Sequence, residues 1–157
     1  RDIGDEDPSL IVRHLAPASA VLVASPGLLA DKHIRTPDDL NQLPVLGAIE
    51  ADRKVHYLLV HQDSRRQEVS LEPRLAIDDL PIRKAAALAG LGMTMLPMMN
   101  CHDALSDGTL VRLLPDWSMP SGNLQAAYTQ RRGSLPAVRA WIDHVAAEFT
   151  AHSVGGV

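Results

Sequence analysis

The sequence predicts an α/β fold, and three observations carry that prediction. Short runs rich in Val, Ile and Leu alternate along the chain with segments whose apolar residues recur every three or four positions. The joints between them hold Pro, Gly, Asp or Ser-Pro where helices start and stop. The 157 residues are 46% apolar, which suits one compact α/β unit, or one small subdomain plus part of another. Only Phe149, Tyr57, Tyr128, Trp117 and Trp141 are aromatic, so aliphatic side chains and Met must fill the core.

Taken in order, IVRHL (11–15) and AVLVA (20–24) have strand character and are separated by Ala16-Pro17-Ala18-Ser19. Ser25-Pro26 then supplies an N-cap hydroxyl and a proline at the first helical position, which predicts a short helix through GLLADKH. TPDDL (36–40) repeats the device: Thr36 can cap, and Asp38 and Asp39 complement the positive end of a helix. VLGAI (45–49) reads as a buried strand. VHYLLVH (55–61) and EVSLEPRLAI (68–77) read as a hairpin, with Pro73 placing part of the second strand at an edge or bulge. Asp78-Asp79 before Pro81 opens a helix carrying IRKAAALA.

That helix runs into GLG (90–92). A phosphate loop places its strand before the glycines and its helix after them, so that free N–H groups face the anion. Here the order is reversed, and the carbonyl end of a helix repels phosphate. Gly90 is therefore read as the left-handed residue that ends the helix, and GMTML as the strand that leaves it. Pro97 starts a helix through MNCHDALS, Asp107-Gly108 stops it, and TLVRLL (109–114) returns as a strand. LQAAYT (124–129) is a further strand. Ser134 caps a last helix whose apolar residues Leu135, Val138, Trp141, Ile142, Val145 and Phe149 share one face, and the tail from Thr150 reads as frayed. Strands alternating with helices predict a largely parallel sheet with helices on both faces.

Composition excludes several function classes. A formal charge of −4, with RR only at 65–66 and 131–132, gives no clustered basic face for nucleic acid. A single cysteine, Cys101, excludes an internal disulfide and a Cys-rich zinc site and is compatible with a reducing cytosol. No apolar run approaches the roughly 18 residues of a membrane span, and no signal peptide is seen. The opening RDIGDEDPSLIVRHL lacks an initiator Met and reads like a piece of a longer protein.

Catalytic and metal constellations fare poorly. Cys101-His102-Asp103 holds triad residue types, but helix neighbours point about 100° apart and cannot converge. The thiol reads as a packed or partly exposed helix residue. His56 and His61 lie five apart on a strand, hence on opposite faces. No cofactor fingerprint occurs, so no cofactor, no metal and no catalytic activity are expected. Glu50 and Asp52 follow a buried strand, where a ligand-reading group lies in an open sheet; a solvated acidic turn is the simpler reading of them.

LAPASAVLVASPGLLADK, RTPDDL, LAIDDLPIRKAAALAGLGMTMLP, DGTLVRLLPDW and LPAVRAWIDHVAAEF, in that order and spacing, resemble the effector-binding domain of LysR-type transcriptional regulators. The resemblance runs across nearly the whole chain. It implies a type 2 periplasmic-binding-protein-like fold, with two α/β subdomains joined by two crossovers and a small molecule held in the cleft between them. It implies one complete subdomain at 18–123, with 1–17 and 124–157 belonging to an incomplete first one, and crossovers near Pro17–Ser19 and Gly122–Leu124. DNA would be reached only through a helix-turn-helix outside this sequence, in a cytoplasmic homodimer or homotetramer. The stripe on the last helix would then expose apolar surface. Matched residue by residue, the cleft would be lined by Ile49, Glu50, Ala51, Asp78 and Asp79, with Ser25 a further candidate. Family members often carry Asn where Asp78 stands, and Asp78 and Asp79 are also competent N-caps without any ligand. A solute-binding protein of a transporter shares the fold, and a small α/β enzyme is the third class considered.

Overall fold

The computed structural model describes residues 10–48, 50–129 and 135–153, with side chains as far as 149. The chain divides into two compact units: a central one, Ser19–Pro120, and a flanking one made of Arg1–Ala18 with Ser121–Val157.

In the central unit, strands β2 (Ala20–Ala24), β3 (Val45–Gly47), β6 (Pro73–Ala76), β7 (Thr94–Pro97) and β8 (Val111–Arg112) form one layer. β3 pairs in parallel with β6 and bridges in parallel to Met93 at the foot of β7, whereas β2 is antiparallel to both β7 and β8. The layer order is thus β6-β3-β7-β2-β8, with β2 alone running against the rest. The expected sheet, largely parallel, is in fact mixed: the chain enters this unit along β2, and a strand flanked on both sides by antiparallel partners leaves few parallel pairs.

Alternation along β2 and β3 assigns the two faces. Val21, Val23 and Leu46 pack with Ala87, Leu96, Cys101, Ala104 and Leu110 under helices α1 (Leu80–Leu88) and α2 (Met98–Ser106). Leu22, Ala24 and Val45 pack with Val55, Tyr57, Leu59, Val69 and Leu71 on the other face. Each such aliphatic side chain contributes about 1.5–3 kcal/mol by leaving water. The second face is therefore covered by the antiparallel hairpin β4 (Val55–His61) and β5 (Arg66–Leu71), with β9 (Trp117–Ser118) beside it, and not by helices as expected. Two 3-10 segments, Pro26–Leu29 and Pro37–Gln42, complete that side through Leu28, Leu29 and Leu40.

GLLADKH forms a single 3-10 turn because Ser25 makes no side-chain cap and one turn cannot repay helix nucleation. At Thr36, by contrast, the Asp39 carboxylate accepts the Thr36 N–H at 2.8 Å, and backbone N–H groups of Thr36 and Arg35 hold that acid below its usual range. Pro73 does more than mark an edge: β5 ends at Leu71, and the chain switches sheets to become β6, with the register slipping between Val45 and Leu46 opposite it. TLVRLL contributes only Val111–Arg112 to a strand.

In the flanking unit, β1 (Leu10–Ala18) pairs antiparallel with β10 (Gly122–Thr129) from Leu10 opposite Thr129 to Ala18 opposite Gly122. β1 is longer than expected and runs through Pro17, leaving Ser19 as the break before β2. The register slips between His14 and Ala16. Helix α3 (Pro136–Ser153) packs on β1 through buried Ile142 and the Arg13–Asp143 ion pair. Ser134, expected to cap it, and the Arg131-Arg132 pair lie outside the described residues.

Candidate functional site

β3, β6 and β7 point the same way, so their C-terminal ends gather Gly47-Ala48, Ala76-Ile77 and Pro97-Met98 at one end of the sheet. Backbone bonds fix this edge: Ile77 N–H donates to Gly47 at 3.0 Å, and Met98 N–H donates to Ser19 at 2.9 Å. Helices α1 and α2 both begin here, presenting their positive ends. In open α/β sheets the crevice at the strand C-termini is where ligands bind.

The candidate acids have different states of commitment. The Asp79 carboxylate caps α1, accepting the Ile82 N–H at 2.9 Å. Asp78 is exposed; its carbonyl accepts from Arg83 Nη2 at 3.2 Å, while its carboxylate makes no hydrogen bond or ion pair among the described residues. Glu50 and Ala51 follow β3 into an exposed turn closed by Glu50 N–H to Lys54 at 3.0 Å and Arg53 N–H to Glu50 at 2.9 Å, with Arg53 at φ 65°. Asp52 spends its carboxylate on the Lys54 N–H and on His56 Nε2 at 2.8 Å; the Lys54 N–H is the main cause of its lowered pKa. A shallow cavity of about 310 Å³ lies alongside, lined by Asp52, Arg53, Lys54, Glu72, Pro73 and Ala76.

Of the predicted set, the fold brings Glu50, Ala51, Asp78 and Asp79 to one end of the central unit. Ile49 lies outside the described residues. Ser25 stands apart: it is buried, and its Oγ lies 3.4 Å from where a Gly90 Cβ would be, at the carbonyl end of α1. Because β2 runs against β7, the end of β2 is at the opposite edge of the sheet from the end of β3.

The structure adds two residues that sequence reading passed over. Arg83, only 6% exposed, reaches back along α1 to Asp78, and Tyr57, 5% exposed, places its hydroxyl beside Gly47 at the end of β3. Burial pushes the pKa of the Tyr57 hydroxyl up to about 12, opposed by the Arg83 charge and by the polar Met95 backbone, and by distance and angle the hydroxyl has no hydrogen-bond partner among the described residues. One signal in the sequence could have found Arg83: it precedes Ala87 by four residues and so shares the buried helix face.

No triad forms. Cys101 is fully buried, its thiol donates to the Pro97 carbonyl at 3.4 Å, and burial pushes its pKa up. His102 and Asp103 sit 3.7 Å apart with side chains 73% and 97% exposed, pointing away from that core. Among the described residues no three His, Cys, Asp or Glu side chains group as metal ligands, and no helix is long and apolar enough to cross a membrane.

The LysR substrate binding domain family matches residues 1–150. The chain belongs to that family. This LysR substrate binding domain is 30% identical over 138 residues to the HTH-type transcriptional regulator PtxR of Pseudomonas aeruginosa, covering 87% of this chain and 44% of PtxR. It is 27% identical over 155 residues to the regulator DmlR of Escherichia coli K12, covering 96% of this chain and 49% of DmlR. The domain thus spans about half the length of these curated relatives. Among solved structures it is similar to the regulatory domain of AphB variant C227S from Vibrio vulnificus, with a TM-score of 0.76 at 27% identity over 90% of this chain and 73% of that one. The fold is accordingly the periplasmic-binding-protein-like type 2 α/β fold that the resemblance implied.

Proposed function

We propose that this LysR substrate binding domain is the effector-sensing part of a transcription regulator and that it holds a small molecule at the β3, β6 and β7 ends of the central unit. The observation that carries this reading is the gathering at that end of two carboxylates, Asp78 and Glu50, that have no partner among the described residues, near the N-terminus of α1. The division into 1–17, 18–123 and 124–157, with β1 and β10 as the connections, belongs to the same reading. So do the candidate contacts Ile49, Glu50, Ala51, Asp78 and Asp79; Ser25, at the other edge, would act only through the α1 C-terminus. A ligand that favours one arrangement of the regulator over another shifts the population by no more than its difference in affinity for the two. DNA would be read by a helix-turn-helix like that named in PtxR and DmlR, in a cytoplasmic homo-oligomer.

An enzymatic role finds little support, because the one thiol is buried and its His and Asp neighbours face water. A transporter-type solute-binding role is not favoured by relatives named as regulators. The test is a thermal-shift screen of small organic metabolites on the 157-residue chain, in which a compound at 100 times its Kd adds about 2.7 kcal/mol. Asp78→Ala is expected to reduce the shift given by a hit. A full shift retained in both Asp78→Ala and Glu50→Ala would remove this end of the sheet from the site.

A further inference from the structure

Tyr57 Oη and Arg83 Nε are both buried and have no hydrogen-bond partner among the described residues. Both lie where the end of β3 meets the start of α1, since Ile77, next to Asp78, donates its N–H to Gly47 at 3.0 Å. Tyr57 Oη lies 3.7 Å from the position of a Gly47 Cβ, and Arg83 sits in the first turns of α1 with Nη2 on the Asp78 carbonyl at 3.2 Å. The charge of Arg83 acts on the Tyr57 hydroxyl. No carboxylate pairs with Arg83 among the described residues.

An arginine cannot shed its proton to escape burial, so its charge must be paired or remain unfavourable. The local field makes matters worse, since Arg83 lies at the positive end of the nine-residue helix α1. Asp79 does not compensate it, being turned to the Ile82 N–H, and Asp78 offers Arg83 only a carbonyl. Arg83 Nε–H has no acceptor among the described residues, and Nη2 gives the Asp78 carbonyl only one of its two N–H groups, so the guanidinium keeps donor capacity of the kind that a carboxylate takes up. The buried Tyr57 hydroxyl, beside Gly47 and without a partner among the described residues, is a further donor at this end of β3.

We propose that Arg83 and Tyr57 form a carboxylate-binding subsite beneath the N-terminus of α1, taking the anionic group of the effector. This deepens, and rests on, the effector-sensing reading of the same end of the sheet. Glu50 and Asp78, exposed above it, then disfavour a second anionic group and select a ligand whose remainder is neutral or cationic.

The experiment is an NMR titration of the 157-residue chain, following the Arg83 side-chain Nε–H and the backbone amides of Gly47, Ala48 and Ile82. Sodium acetate is the probe, with sodium chloride at equal ionic strength and acetamide as controls. Acetate is expected to move these signals saturably, and chloride and acetamide are not. Arg83→Met, an apolar replacement of similar length, is expected to abolish the amide shifts, and Tyr57→Phe to weaken acetate about three- to tenfold, the worth of one hydrogen bond. Should Arg83→Met fail to fold, Arg83→Lys tests the same point, since it keeps the charge but loses the paired donors. Signals unmoved by acetate, or moved equally by chloride, would overturn the proposal. A metabolite whose stabilisation survives Arg83→Met would overturn the subsite and spare the effector reading. Saturable acetate binding on a domain that no metabolite stabilises would do the reverse.

Discussion

Gly90 and Gly92 stand two residues apart and restrict the chain for different reasons. Gly90 has φ 75°, a conformation that Cβ disfavours, but the space around it is open apart from Ser25 Oγ at 3.4 Å. Gly92 has an ordinary φ, but a Cβ there would lie 2.6 Å from the Pro44 carbonyl oxygen and 2.9 Å from Leu46 Cγ, in the backbone seam between β3 and the start of β7. Gly90→Ala is expected to cost about 1 kcal/mol and Gly92→Ala about 3 kcal/mol, measured from urea midpoints; the reverse order would contradict these roles. The role of Gly90 was legible in the residue order, whereas the close approach at Gly92 depends on which strand lies opposite it. The buried polar pair was not legible, because a helix read by its apolar spacing hides a cation on the apolar face, and Tyr57 in VHYLLVH satisfies strand alternation as any apolar residue would.

Asp63 offers a residue-scale pH test at the β4–β5 turn. The Arg65 N–H first, then His61 and the Arg65 guanidinium, hold its carboxylate down to about 2, from 3.8. A depressed folded pKa stabilises above the unfolded value, and that contribution fades as pH falls from 3.8 toward about 2. Asp63→Asn is therefore expected to narrow its stability deficit against the parent over that window, read from urea midpoints. A deficit independent of pH between 4 and 2 would place the effect of Asp63 in packing instead.

At the scale of elements, the neighbouring acids at the start of α1 are separable. Asp79→Ala removes the cap on Ile82 and is expected to cost about 1 kcal/mol, whereas Asp78→Ala is expected to stay within about 0.5 kcal/mol of the parent; equal costs would contradict the division of labour. The Asp79 cap and the hairpin were legible because each needs only local chemistry, although the same local reading expected a cap at Ser25 that does not form. The switch of sheets at Pro73 and the hairpin covering the face expected to carry helices were not legible, since they depend on which distant strands accept β6 and β4. α3 gives a second test. Its stripe buries Ile142 but leaves Leu135 55% and Trp141 63% exposed, above a cavity of about 440 Å³ that Leu15, Ala126, Tyr128, Val138 and Val145 help line. Apolar surface of this kind favours association. Light scattering is expected to show a mass rising with concentration above that of one chain, reduced by Trp141→Glu; one chain at every concentration in the parent would contradict a role for this face.

For the whole molecule, the central claim is that a regulator's sensing domain reads its ligand where β3, β6 and β7 end. The placing of Glu50, Ala51 and the Asp78-Asp79 pair at that end of the sheet was legible, because loops after strands and caps before helices can be placed from sequence. Ser25 was grouped with them because the sequence does not reveal that β2 runs against its neighbours. Hydrogen exchange on the 157-residue chain, with and without the strongest compound from the thermal-shift screen, tests the claim most directly. Slowed exchange concentrated in residues 47–51 and 77–83 is the expected result. Slowed exchange centred on residues 24–29 and 89–92, with 47–51 and 77–83 unchanged, would contradict it.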